Sequence, residues 1–422
     1  MGSQKLSTLA FERIEPDKKG NWVNLAENQW DELTPVADKK TKSAKTSAQQ
    51  KALFKLFSLG VKTNRDDWVT DYSQELLGVK TSALISAYEA ERNRLTGQVN
   101  RLNVNTLISY HLKWTRKLKR LIVDNRQLVY SRTPIRSSLY RPYSQQFTYF
   151  DSSLNEDWYQ LGHITLNGPN PTILLSGYPS QKPFQILATA DLWHHDTLDK
   201  TNGLPLYRYT SSGERVDNIT DWGLKQFQSH YGKAEKISKE DIFHYVYGVL
   251  HDPVYREKYA LNLKREFPRI PFYPDFRAWA DWGKRLMELH IGYETVEPWP
   301  LERLDTPDEK ARAAGVSAKA ILKADKENGI IRLDSETQLS GIPAAAWTYR
   351  LGNRSGLEWI LDQYREKTPK DPTIREKFNT YRFADYKEKV IDLLMRVTRV
   401  SVETVAITEA MKSARRATED AA

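Results

Sequence analysis

The chain has 422 residues, 40% of them hydrophobic, with 63 Lys or Arg against 54 Asp or Glu for a net charge of +9. That length suits two or three domains with real cores. The absence of cysteine excludes disulfides, thiolate nucleophiles and cysteine-ligated zinc; no apolar run approaches the ~20 residues that span a membrane and no signal-peptide core opens the chain, so a cytoplasmic protein is expected.

Phe11 to Leu33 reads as a mixed apolar and polar stretch. From Val36 to Arg65, eight Lys or Arg (Lys39, Lys40, Lys42, Lys45, Lys51, Lys55, Lys62 and Arg65) meet one acid, Asp38. The apolar-poor part of this segment, Ala37 to Lys51, predicts a flexible loop. Ala52 to Val61 predicts a short buried strand, closed by the polar turn Lys62-Thr63-Asn64-Arg65-Asp66. Two helices are expected next, Ser73 to Arg101 and Asn103 to Val123, from recurring Leu, Ile and Tyr on one face.

Between Lys113 and Pro142 stand nine Lys or Arg and one acid, Asp124. Lys113, Arg116, Lys117 and Arg120 are spaced i, i+3, i+4, i+7, which puts them on one helical face. Arg126, Arg132, Arg136 and Arg141 follow, threaded among Tyr130, Tyr140 and Tyr143. A one-sided cationic stripe leading into arginines among aromatics suits a polyanion with flat bases. A solvated helix face accounts for such a stripe equally well.

From Tyr140 to Tyr209 the pattern turns β-prone: Gln146–Phe150, Leu161–Leu166, Thr172–Leu175, Phe184–Ala188 and Leu206–Tyr209. Helices return with a capping box at Ser238 and Asp241, an N-cap at Asp275, and a second capping box at Ser355 and Glu358 opening a helix to about Lys367. Residues 303–328 are charged and apolar-poor, an expected exposed hinge or insertion. A last helix is expected from about Tyr386 to Val397, followed by a frayed tail from Ala410 to Ala422. The fold class is α+β, with an N-terminal helical segment bearing the basic helix and a β-rich central region packed with several helices.

No Walker loop, G-x-G-x-x-G turn or G-x-S-x-G elbow is present. His194-His195-Asp196 is the most ligand-like cluster, but adjacent histidines diverge, and loop bracing is the expected role. Most of the 12 Trp and 22 Tyr are expected in the core. The polar turns retain Lys62, Asn64, Arg65, Arg132, Arg136, Arg141, Lys182, Arg350, Asn353 and Arg354. Arg reads guanine bidentately and Asn reads adenine, whereas Lys and helix stripes mostly hold phosphates. The expected phosphate contacts are therefore Lys113, Arg116, Lys117, Arg120 and Lys62. The base-reading candidates are Asn64, Arg65, Arg132, Arg136, Arg141, Lys182, Arg350, Asn353 and Arg354, with carboxylate pairing an even alternative for each.

Several stretches, in order along the chain, resemble type ISP restriction–modification enzymes in the part C-terminal to their methyltransferase motifs: Phe54–Asp66 (FKLFSLGVKTNRD), Tyr140–Asp151 (YRPYSQQFTYFD), Leu204–Tyr209 (LPLYRY), Asp241–Tyr259 (DIFHYVYGVLHDPVYREKY), Pro268–Asp281 (PRIPFYPDFRAWAD), Trp347–Tyr364 (WTYRLGNRSGLEWILDQY) and Val397–Thr404 (VTRVSVET). The family's F-x-G-x-G and [DNS]-P-P-[YF] methyltransferase motifs, its Walker motif and a nuclease signature are absent. The resemblance implies a methyltransferase remnant with a Lys-rich loop over 1–70, a helical spacer with the basic stripe over 71–130, and a specificity domain over 131–422. It implies a partner in double-stranded DNA, to be positioned for adenine amino-methylation and cleavage by methyltransferase, translocase and nuclease parts outside this chain. S-adenosylmethionine, and ATP with Mg, belong to those parts; no cofactor, metal or catalytic set is expected here. Two other classes remain: a nucleic-acid- or glycan-acting enzyme with an unrecognised carboxylate site, and an interaction subunit whose basic surface meets an acidic protein.

Overall fold

The computed structural model describes residues 28–165 and 168–416, together with 15, 16, 20 and 22, as an α+β arrangement. The strands that build its larger sheets are β1 (Ser58–Leu59), β2 (Thr70–Asp71), β3 (Ile135–Arg141), β4 (Ser144–Tyr149), β5 (Thr172–Leu175), β6 (Ile186–Thr189), β7 (Leu192–Trp193), β8 (Asn202–Pro205), β9 (Glu302–Asp305), β10 (Ala320–Asp325), β11 (Ile330–Asp334) and β12 (Thr337–Ser340). The main helices are α1 (Gln74–Leu95), α2 (Arg116–Val123), α3 (Lys239–Val249), α4 (Phe276–Ile291), α5 (Gly356–Gln363) and α6 (Lys387–Lys412). Three four-stranded sheets result, ordered β1-β8-β5-β6, β2-β4-β3-β7 and β9-β12-β11-β10. The β3–β7 pair is parallel, with Ser138 opposite Leu192 and Leu139 opposite Trp193.

The core has three parts, and strands share themselves between them by their twofold alternation. In β5, Ile173 and Leu175 enter one part with α3 and α4, while Leu174 enters a second with the β9–β12 sheet, α5 and α6. Every residue of β5 is therefore buried, which is why it reads as a continuous apolar run. A third part gathers Trp68, the apolar side of α1, and Leu118 and Ile122 of α2. The capping boxes at Ser238 and Ser355 and the Asp275 N-cap form as the sequence indicates.

Several expected elements differ. The helix expected over Asn103 to Val123 is broken: a single turn at Val104–Leu107 precedes α2, whose N-cap is Thr115. Side chains of α1 take the intervening backbone groups, Glu91 accepting from the Ser109 amide at 2.5 Å and Arg94 donating to the Leu107 carbonyl at 2.6 Å. Lys113 consequently precedes the helix rather than riding on it. The Lys-rich loop contains a helical turn, Lys39–Ser43, capped by Asp38, and the Lys55 ammonium donates to the carbonyls of Thr41, Lys42 and Ala44 at its end. Within Ala52–Val61 only β1 is strand, and Leu161–Leu166 holds the helical turn Gly162–Thr165, which buries Leu161 and Ile164 together; Leu166 lies outside the described residues.

The expected hinge at 303–328 instead contributes β9, a helical turn at Glu309–Ala313 and β10, and it stays largely exposed, Leu322 being its one buried residue. Helix α6 runs fifteen residues past Val397 to Lys412, because Val400, Thr404 and Met411 continue the buried face and Thr398 and Ser401 return their hydroxyls to carbonyls four residues back. The tail is tied as far as Arg416, whose guanidinium meets the buried Asp252 at 2.7 Å; residues 417–422 lie outside the described ones.

Candidate nucleic-acid interface

Backbone pairing builds one cleft. Val61 bridges His194 in parallel and Lys62 bridges Asp157 in antiparallel fashion, so the segment after β1 lies against β7 and its continuation. Gly60 is required there, since a Cβ would collide with the His194 carbonyl. Asn64 takes a left-handed φ of 56°, turning the chain so that Asp66 and Asp67 open a helical turn beneath it. From the other side, the β3–β4 hairpin brings Tyr140 and Arg141 to its tip, where Tyr143 turns at φ 56°. Lys113, Tyr140, Arg141, His194, His195 and Asp196 join Lys62, Asn64, Asp66 and Asp67 around a cleft of about 560 Å³.

The cleft offers donors and acceptors together. The Tyr140 hydroxyl donates to Asp66 Oδ2 at 2.8 Å, and the Thr63 hydroxyl donates to the other carboxylate oxygen. Arg141 lies 4.0 Å over the Tyr140 ring and donates through one nitrogen to the Tyr140 carbonyl at 2.7 Å. Burial works against the Asp66 charge, but His194, the Thr63 and Tyr140 hydroxyls and Arg141 hold its carboxyl below the ordinary range. Asp67 is shifted the other way, by burial and by Asp66 beside it. His194 is a buried brace: its Nε2 meets the Thr148 hydroxyl at 2.8 Å, and burial pulls its pKa down to about 4. His195 pairs with Asp196 at 2.7 Å. No cluster of three or more potential metal ligands occurs among the described residues.

Of the residues expected from sequence, Lys62, Asn64, Lys113 and Arg141 meet in this cleft. Arg65, read as an exposed turn donor, is fully buried instead; it donates to the Thr115 hydroxyl at 2.5 Å, and its Nε and Nη1 have no hydrogen-bond partner among the described residues. Burial pulls its guanidinium to about 9, opposed by nearby Glu156. The stripe is also partly engaged. Arg116 pairs with Glu156 at 3.2 Å, and Lys117 donates to the Ser152 and Asn155 carbonyls, leaving Arg120 exposed.

The other candidates stand elsewhere. Arg132 is exposed before β3, and Arg136 donates to the Thr133 and Ile135 carbonyls beside a smaller cleft. Lys182 pairs with Asp199 at 3.4 Å, and Arg350 donates to the Asn353 carbonyl across a tight hairpin. Arg354 pairs with Asp362 at 3.4 Å over the Trp359 ring. Sequence reasoning missed Asp66, Asp67 and Tyr140 as members of the site; the only local signal was the acid pair closing a donor-rich turn.

The family model described as the Type ISP C-terminal specificity domain matches residues 52–393. Among solved structures, the chain is similar to DrdV in its complex with DNA, at 49% identity over 98% of this chain and 41% of that one, with a TM-score of 0.90. It is also similar to a nuclease-deletion mutant of the Type ISP restriction–modification enzyme LlaGI in complex with a DNA substrate mimic (26% identity, 97% of this chain, 37% of that one, TM-score 0.77). The ATP-dependent Type ISP enzyme LlaBIII bound to DNA shares the fold at 23% identity, over 96% of this chain and 25% of that one, with a TM-score of 0.77. The chain thus spans about two fifths or less of the length of these structures. None of the curated proteins matches it.

Proposed function

This chain belongs to the family of Type ISP C-terminal specificity domains, and from that premise we propose that it recognises a target sequence in double-stranded DNA as the specificity part of a cytoplasmic restriction–modification enzyme. The observation that carries the reading is the cleft where Lys62, Asn64, Lys113 and Arg141 converge with Asp66 and Asp67. A groove meant only for phosphates needs only cations; base edges present both donors and acceptors. Arg141, flattened on Tyr140, and Asn64 at its turn are the base readers, with Asp67 an acceptor for an exocyclic amine. Lys62, Lys113, Arg116 and Arg120 hold phosphates. Arg132, Arg136, Lys182, Arg350, Asn353 and Arg354 lie outside the cleft and, in this reading, are secondary contacts. Methylation, translocation and cleavage belong to other parts of the enzyme. The motifs that would hold S-adenosylmethionine or ATP with Mg are absent from this sequence, so no step through those groups is assigned to it.

The test is selection of preferred duplexes by the purified chain, followed by affinity measurements across salt concentration. Neutralising Lys113 and Arg120 together is expected to reduce the salt slope by about 0.9 for each lost phosphate contact without changing the preferred sequence. Arg141→Ala is expected to relax preference at one base pair, at about 1–3 kcal/mol. Binding with no sequence preference at any salt concentration, or an unchanged preference in Arg141→Ala, overturns the assignment.

A further inference from the structure

In a second cleft, of about 380 Å³ and sharing no lining residue with the first, three elements distant in sequence bring cations together: Arg256 from the helical turn Pro253–Lys258, Arg350 from the hairpin before α5, and Lys412 at the end of α6. Lys412 is paired with Glu409 at 2.7 Å. Neither arginine has a carboxylate partner among the described residues. Arg256 donates to the Phe184 carbonyl at 2.7 Å and Arg350 to that of Asn353, so both guanidiniums keep donors to spare.

His251 lines the same cleft and is 3% exposed. Its Nδ1 lies 2.8 Å from the Tyr247 carbonyl, which can only accept, so Nδ1 carries the proton and Nε2 presents a lone pair. That buried Nε2 has no hydrogen-bond partner among the described residues. Burial pulls the imidazole pKa down to about 3, so the ring stays neutral and Nε2 stays an acceptor.

We propose that this cleft is a binding site for a singly protonated phosphate group, either free orthophosphate or the terminal phosphate of a nucleotide. Its charged oxygens would meet Arg256 and Arg350 and its P–OH would donate to His251 Nε2. The requirement for an acidic proton selects among anions. A phosphomonoester, with its second ionisation near pH 6, still carries that proton in part at neutral pH. A sulfate or a DNA backbone diester carries none and would leave Nε2 unpaired against an oxygen. The cleft shares no lining residue with the duplex cleft, so failure of phosphate to bind here would leave the reading of that cleft standing.

Calorimetric titration of the full chain at pH 6.5 with orthophosphate, sulfate, thymidine 5′-monophosphate and thymidine tests it. Phosphate and the monophosphate are expected to bind at least roughly tenfold more tightly than sulfate, the nucleoside not at all, and Arg350→Ala, on an exposed hairpin, should lose roughly tenfold for phosphate. In histidine-labelled protein, phosphate and not sulfate should shift the His251 Nε2 resonance. Equal affinity for phosphate and sulfate, affinity unchanged in Arg350→Ala, or a silent His251 overturns the proposal. An effect of Arg350→Ala confined to duplex DNA would reassign the cations to backbone contacts.

Discussion

The Arg65 guanidinium is buried against the Thr115 hydroxyl, and two of its nitrogens have no hydrogen-bond partner among the described residues. In sequence Arg65 stands in a polar turn between Asn64 and Asp66, where an exposed arginine is the ordinary expectation. In the structure the chain after Asn64 folds inward and the guanidinium reaches the N-cap of α2, the Thr115 hydroxyl. It ties the wall of the cleft to the basic helix, at the expense of a buried charge with two unpartnered nitrogens. A charge so placed is weakly compensated, and an apolar side chain of similar volume usually serves stability as well or better. Arg65→Met is therefore expected to match or exceed the wild-type urea midpoint, whereas Arg65→Ala, which opens a cavity, should cost about 2–5 kcal/mol. A methionine variant as unstable as the alanine one would show that the charge itself stabilises the fold.

Among elements, the contact of α3 with α4 is the tightest constraint. Gly248 and Gly283 face each other there, and a Cβ on Gly283 would run into the His244 carbonyl, as one on Gly248 would press the Trp279 carbonyl. The backbones meet with no side chain between them, which is what small residues at a helix crossing permit. Gly283→Ala should cost at least about 2 kcal/mol in denaturant unfolding despite its better helix propensity, and a neutral result would mean the helices can part freely. The basic stripe teaches a related lesson. Its i, i+3, i+4, i+7 spacing was visible, but the break at Ser109 was not, because Glu91 and Arg94 divert the backbone from another helix. Of the four stripe residues only Lys113 reaches the cleft, and it does so from outside the helix.

Across the whole molecule, three buried histidines set an acid limit. His194 braces β3 and β4 through Thr148, while His290 links the Tyr247 hydroxyl at 2.6 Å to the Thr404 hydroxyl at 3.0 Å, with the His251 ring tilted against it at 5.4 Å. Burial lowers all three pKa values from an ordinary 6.5, to about 4 for His194 and about 3 for His251. The unfolded chain therefore binds protons below pH 6.5 that the folded chain does not. Stability is complete above that pH and falls as pH drops toward the native values, by up to about 1.4 kcal/mol per pH unit for each histidine. Urea midpoints should hold from pH 7.5 to about pH 6.5 and decline from there to pH 5; a flat profile below pH 6.5 contradicts the burial of neutral imidazoles.

The sequence alone carries the α+β class, the two capping boxes, the Asp275 cap and the resemblance that identifies the family, because these rest on local hydrogen bonds, periodicity and ordered motifs. It also carries Lys62, Asn64, Lys113 and Arg141 as candidates, since turn chemistry and charge are local properties. That these four share one cleft, that Asp66, Asp67 and Tyr140 complete it, and that Arg65 is withdrawn into the core all follow from long-range packing. The reason is physical. The cleft is made by bridges such as Val61 to His194 and by the Tyr140–Asp66 hydrogen bond, each joining residues more than seventy positions apart. No periodicity reports such pairings.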